Sequence, residues 1–205
     1  MKLKQLLFGG LLFATFSVAA LQANAQAGRF GVFAGSNFAS IKGKDATKTK
    51  LKTGFQAGVT YDIGLADEFV LQPGVSYVQN GTKIKDDEAE GRWDLNYIQV
   101  PVTFQYQPAV GTGNLLLGVG PYVGFGVGKI KTKAYVEGAN NKASMDWKDM
   151  DFKKFDAGGK LLVGYQLGMG LSFNLNANLG LANLSDDKDV KFHNTSFGVT
   201  VGYKF

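Results

Sequence analysis

The sequence predicts an all-β fold: an eight-stranded antiparallel up-and-down transmembrane β-barrel. Three observations carry that expectation. Eight segments alternate apolar and polar side chains with period two. Each is about ten residues long, the length a tilted strand needs to cross a bilayer. The last segment, Asn194 to Phe205, alternates to the final residue, leaving a free edge that the first segment can cover by closing the sheet.

The elements follow in order. Strand one runs from Arg29 to Ala39, with Phe30, Val32, Ala34 and Phe38 on one face. A basic loop, Ile41 to Lys52, leads to strand two, Thr53 to Ile63, where Phe55, Ala57, Val59, Tyr61 and Ile63 alternate with Gly54, Gln56, Gly58, Thr60 and Asp62. Gly64 to Asp67 is a short turn. Strand three continues to Gln79, and Asn80-Gly81 reads as the turn that opens a charged loop to Arg92. Strand four covers Leu95 to Tyr106. Trp93 and Leu95 differ in parity from Ile98 to Tyr106, which predicts a bulge near Asn96 or a loop entry. A turn around Pro108 to Gly113 precedes strand five, from Leu115 to Val127, whose apolar positions alternate mostly with Gly. Lys129 to Lys154 is the longest expected loop. Strands six, Phe155 to Leu167, and seven, Leu171 to Leu181, are joined at Gly168 to Gly170, and the loop Asn183 to Phe192 precedes the closing strand. Three short turns therefore lie at one end and four longer loops at the other, the asymmetry of membrane barrels.

The N-terminus reads as a processing segment. Lys2 and Lys4 precede an apolar run, Leu6 to Leu21, and Ala23 and Ala25 satisfy the small-residue rule for cleavage before Gln26. Residues 1–25 are thus expected to be a signal peptide and 26–205 one barrel domain. The run is short for an anchor helix, and no Cys follows it to carry a lipid. The chain has no Cys, so no disulfide is available after export. Its net charge of +5 falls to +3 without Lys2 and Lys4, too little to argue for nucleic acid, for which no motif appears. No later apolar run of about 20 residues exists, so a membrane location requires a closed barrel.

A soluble barrel would also alternate, with its apolar face inward and charges outside. Here most charged residues fall in the four longer loops, and eight remain for all strands and short turns. The polar strand face is Gly, Ser, Thr, Asn and Gln, which suits a narrow hydrated interior. Aromatics on the apolar face form two belts: Phe38, Phe55, Tyr77, Phe125, Phe155 and Phe197 toward the long loops, and Phe30, Tyr61, Phe69, Tyr106, Phe173 and Tyr203 toward the short turns. Such belts mark the two interfaces of a bilayer.

Candidate functional residues are few. Arg29, Asp62, Glu68 and Lys204 are expected to meet inside the short-turn end as a neutral charge cluster that plugs the barrel, where unpaired charges would be costly. The same charges in an open barrel would form the selectivity ring of a channel. Val201, Tyr203 and Phe205 form a terminal aromatic signal like that of bacterial outer-membrane barrels, to be read by barrel-assembly machinery during insertion. Lys42, Lys44, Lys48, Lys50 and Lys52 form a basic loop patch, and the loop Lys129 to Lys154 adds Tyr135, Met145 and Trp147. These loops would contact anionic lipopolysaccharide or a protein partner, unless their charge is simply solvated. One His and no Cys leave no metal or cofactor motif. Gly31, Gly35, Gly118, Gly120, Gly124 and Gly126 alternate along strands, where small residues let a narrow barrel close, and are not phosphate cradles.

Several motifs resemble the Bacteroidota outer-membrane β-barrel domain family of PorT-like proteins. They are R-F-G-V-F-A-G-S-N-F at Arg29 to Phe38, L-Q-P-G-V-S-Y-V-Q-N-G at Leu71 to Gly81, Y-I-Q-V-P-V at Tyr97 to Val102, G-P-Y-V-G at Gly120 to Gly124, F-D-A-G-G at Phe155 to Gly159 and the terminal G-Y-K-F. The resemblance implies an outer-membrane location and, for some members, service in secretion or gliding machinery. Enzymatic activity is not expected: the H-x-S spacing of lipid A deacylase barrels is not met by His193-Asn194-Thr195-Ser196.

Overall fold

The computed structural model describes residues 28–43, 49–85, 89–136, 139–150, 152–185 and 192–205. The predicted signal peptide, with Ala23 and Ala25, lies outside the described residues. Eight long strands form the wall: β1 (Arg29–Gly43), β2 (Lys52–Ala66), β3 (Phe69–Lys85), β4 (Ala89–Tyr106), β5 (Gly113–Val136), β6 (Phe155–Leu167), β7 (Leu171–Gly180) and β8 (Phe192–Lys204). Each pairs antiparallel with its neighbour in sequence. The seam is β8 on β1, from Gly31 opposite Lys204 to Gly43 opposite Phe192. The sheet is a closed eight-stranded antiparallel barrel, and the terminal edge is covered as expected.

The parity of the strands fixes which face meets which medium. Val32, Val59, Val119, Val163, Leu175 and Val199 are exposed on the outer face, whereas Asn37, Gln56, Gln99, Asn178 and Ser196 are buried inside. A soluble barrel would show the reverse. The outer aromatics pack within their belts. Phe38 stacks on Phe197 at 5.1 Å and Phe55 meets Tyr77 at 5.4 Å near the long loops. Phe30 meets Tyr61 at 4.8 Å and Phe69 meets Tyr106 at 5.1 Å near the short turns.

Two expectations for the long-loop end are corrected. Asn80-Gly81 does not turn the chain. The pair lies within β3, opposite Leu95 and Asp94, because the Asn80 side chain is buried in the interior and bonded to Asn37. The expected loop from Lys129 likewise begins as strand. β5 continues to Val136, and Ala139–Met145 folds back along it, followed by a 3-10 turn at Lys148–Met150. With the short strand Thr49–Lys50 paired on β3, one wall rises beyond the barrel as an antiparallel sheet. The irregularity near Asn96 is present. Asp94 pairs with Lys131 and Asn96 with Val127, so the extra residues are on β5, where Gly128 has a φ of +69°.

Candidate functional site: the barrel interior and its cap

Many inward positions of β1 to β8 are small or amide-bearing, and the amides reach across the lumen. Gln56 Nε2 on β2 donates to Asn176 Oδ1 on β7 at 3.2 Å. That reach needs space on β8, where Gly198 supplies it: a Cβ there would collide with the Gln56 amide. Asn37 donates to Asn80 Oδ1 at 2.9 Å, and Asn178 to Ser196 Oγ at 3.2 Å.

At the short-turn end the expected four-charge cluster contracts to one pair. Lys204 Nζ is bonded to Asp62 Oδ2, both side chains nearly buried. The second Asp62 oxygen accepts from Gln72 Nε2 at 2.6 Å, and Gln72 accepts from Gln105 at 2.7 Å, which accepts from Gln107 at 2.8 Å. Arg29 faces Asp62 in the β1–β2 register, but its side chain is exposed. Glu68 is exposed in the β2–β3 turn, where its carboxylate lies beside Tyr106. Both sit where the chain leaves the wall, so their charges stay hydrated and a neutral amide completes the interior bond.

The basic loop patch is also redrawn. Lys44 and Lys48 lie outside the described residues, Lys42 is on β1, and Lys50 is exposed. Lys52 is not a loop residue. It opens β2 on the parity of Gln56, is wholly buried, and binds Asp94 at 2.9 Å and the Asn80 carbonyl at 2.7 Å. Arg92 joins the same carboxylate at 2.8 Å. Val201, Tyr203 and Phe205 all point outward and are exposed, with Tyr203 and Phe205 in ring contact at 5.2 Å.

Sequence reasoning did not single out three interior features. Asp156 is buried on β6 and accepts from Tyr122 and Asn194, each at 3.2 Å. Lys160, two inward steps along, is buried with its nitrogen 5.9 Å from the centre of the Phe33 ring. Both share the parity of the glycines Gly158 and Gly164, which is the signal that assigns them to the inner face. The third feature is an apolar cap at the long-loop end. Ile41, Leu95, Tyr97, Ile130, Trp147, Phe152 and Leu184 form one buried cluster, with Trp93 and Phe192 against it. Trp147 sits edge-on to Tyr97 at 5.4 Å and donates to the Gly128 carbonyl at 2.9 Å. Its indole occupies the place where a Cβ on Gly126 would be, inside the wall of β5. Trp147 thus belongs to the cap and not to a surface patch. Isolated apolar residues in a polar loop carry no period, so nothing in the sequence separates a surface Trp from one folded back into the mouth.

His193 Nδ1 lies 3.2 Å from the Ala182 carbonyl. Ser196 is buried and bonded to Asn178 inside the lumen, and the two have opposite strand parity.

An apolar outer face, two aromatic belts, a polar interior and a strand seam without free edges define an integral membrane β-barrel. The chain belongs to the outer membrane protein beta-barrel domain family, whose model matches residues 22–186. Solved structures similar to it include Ail, the attachment invasion locus protein of Yersinia pestis (14% identity, 87% of this chain and 99% of that chain, TM-score 0.44). Others are Neisserial surface protein A (14%, 86% and 97%, 0.47) and the outer membrane protein OprG of Pseudomonas aeruginosa (20%, 87% and 96%, 0.39). No curated protein matches the chain. The protein is an outer-membrane β-barrel of the eight-stranded type.

Proposed function

We propose that this protein is a non-enzymatic, sealed barrel that anchors and displays its external loops, as a membrane-structural or secretion-associated component of the PorT-like kind. The observation that carries the reading is the double closure of the lumen. The apolar cap built around Trp147 covers the long-loop end, and the Gln56–Asn176 bond spans the interior beneath it. Eight strands enclose little more than side chains. What distinguishes the outside is the sheet raised from β3, β4 and β5, since β5 is far longer than the ten or so residues a bilayer requires. In barrels of this class the short turns face the periplasm, which puts that sheet and the cap outside the cell. Lipopolysaccharide and a protein partner are the contacts that such loops would meet. The PorT-like assignment rests on the motifs quoted above, such as Y-I-Q-V-P-V at Tyr97 to Val102.

The opposite faces of His193 and Ser196 argue against a hydrolytic dyad. Planar-bilayer recording of the purified protein tests the seal: no steady unitary conductance is expected, and a stable ion-selective current would make it a small-solute channel. Crosslinking on intact cells followed by pull-down tests the loops: a discrete protein partner is expected, and lipid alone would leave only a membrane-structural role.

A further inference from the structure

Between the short-turn end and the middle of the barrel lies a cavity of about 50 Å³, walled in part by Lys160, Thr60, Gln72, Ser172, Asn176 and Thr200. At roughly 10–15 Å³ per enclosed water it has room for about four. Lys160 reaches it from β6 and is 6% exposed. Among the described residues no carboxylate pairs with it. Asp62 is held by Lys204 and Gln72, and Asp94 by Lys52 and Arg92. Asp156 is on the same face of β6 but four residues away, about 13 Å along a strand, and is held by Tyr122 and Asn194. Because Lys204 and Asp62 cancel, the cavity wall carries one uncompensated positive charge. A buried ammonium without a counter-charge is costly, and water alone does not neutralise it. The hydroxyls of Thr60 and Thr200 also line the space without a protein hydrogen-bond partner among the described residues, so both can donate.

We propose that this cavity binds a small monovalent anion, a halide or a carboxylate of about four non-hydrogen atoms or fewer, with Lys160 as its counter-charge. The cap covers the long-loop end, so the anion enters from the side of the short turns. The site is independent of what the external loops bind.

The test uses the full-length purified barrel in detergent, exchanged into gluconate, which is too large to enter. Thermal unfolding is followed by circular dichroism while bromide or formate replaces gluconate at constant ionic strength. A saturable rise in the midpoint is expected, as for any ligand that binds only the folded state. Response to bromide assigns a halide site, and response to formate alone a carboxylate site. Lys160→Met should fold, shown by heat-modifiable migration, and lose the rise. A rise of the same size in Lys160→Met would place the anion elsewhere and overturn the assignment. Should that variant not fold, crystals of the wild type grown in whichever of bromide or formate raises the midpoint decide the matter. Density for that anion beside Lys160 Nζ is expected, with an anomalous peak in the case of bromide; water only at that position would refute the site, as would a midpoint that rises with neither anion.

Discussion

Lys52 shows how much a single interior charge depends on its neighbours. Its ammonium is wholly buried and reaches Asp94 and the Asn80 carbonyl. Removing one partner of a buried pair strands the other in a medium that solvates it poorly. Asp94→Ala should therefore lose about 3 kcal/mol, the low end of the range for a broken buried pair, because the carbonyl contact remains. Lys52→Met should cost less, since Asp94 keeps Arg92 and the lost methylenes are replaced. Urea unfolding of the two variants in lipid vesicles checks the order; the reverse order would mean that Asp94 is the more dependent partner. Gly126 tests the cap at the same scale. A Cβ there would lie 2.5 Å from the Trp147 ring, so Gly126→Ala should push the indole toward water. In a Trp93→Phe background the remaining emission should shift to the red, and an unshifted spectrum would show that the ring has room to move aside within the cluster.

At the scale of the element, β8 is both a lipid-facing strand and half of the seam. Val199 is exposed on the outer face between Phe197 and Tyr203, and it lies opposite Ser36 on β1. Val199→Arg should cost about 2–4 kcal/mol, the penalty for a cation near the bilayer midplane. Deletion of Phe205 should slow insertion rather than destabilise the finished barrel. Unfolded, non-heat-modifiable protein accumulating in membrane fractions of both variants is the expected readout. Strand parity made this legible in advance: every outward position of β8, from Thr195 to Tyr203, alternates without interruption. β3 and β5 were harder because their ends leave the bilayer. There the outward face no longer needs to be apolar, so Lys83 and Lys131 stand in continuous strand while reading as loop. The four-charge cluster failed for a related reason. Parity places a residue on a face but does not say how far its side chain stands from water, and Arg29 and Glu68 lie at the rim.

For the whole molecule, the lysines report orientation. Lys50, Lys129 and Lys148 are exposed at the long-loop end, while Lys52 and Lys160 are buried. A membrane-impermeant amine reagent applied to intact cells should modify the first three and spare the other two until the barrel is unfolded. Lys204, at the opposite end and paired with Asp62, should also be spared; its selective labelling would invert the barrel in the membrane.

The Phe205 amide donates to the Phe30 carbonyl at 2.8 Å, so the two ends of the wall are already touching. Closure therefore joins the segments farthest apart in sequence, and such pairings carry the largest entropy of loop closure and the slowest folding. Until they meet, the chain presents two open edges to any other chain. The order of the strands around the ring, however, has no intrinsic beginning. A few glycines and serines linking Phe205 to Gly28, with new termini cut within residues 186–191, should give a permuted barrel with the same circular order of neighbours. It should still migrate as a heat-modifiable species once inserted, but the closing pair would then be β7 on β8, and the aromatic ending of β8 would be internal. Comparing its insertion rate in cells with that in synthetic vesicles separates the two effects. A defect confined to cells belongs to recognition of the terminus, and one seen in both belongs to the order in which the strands meet.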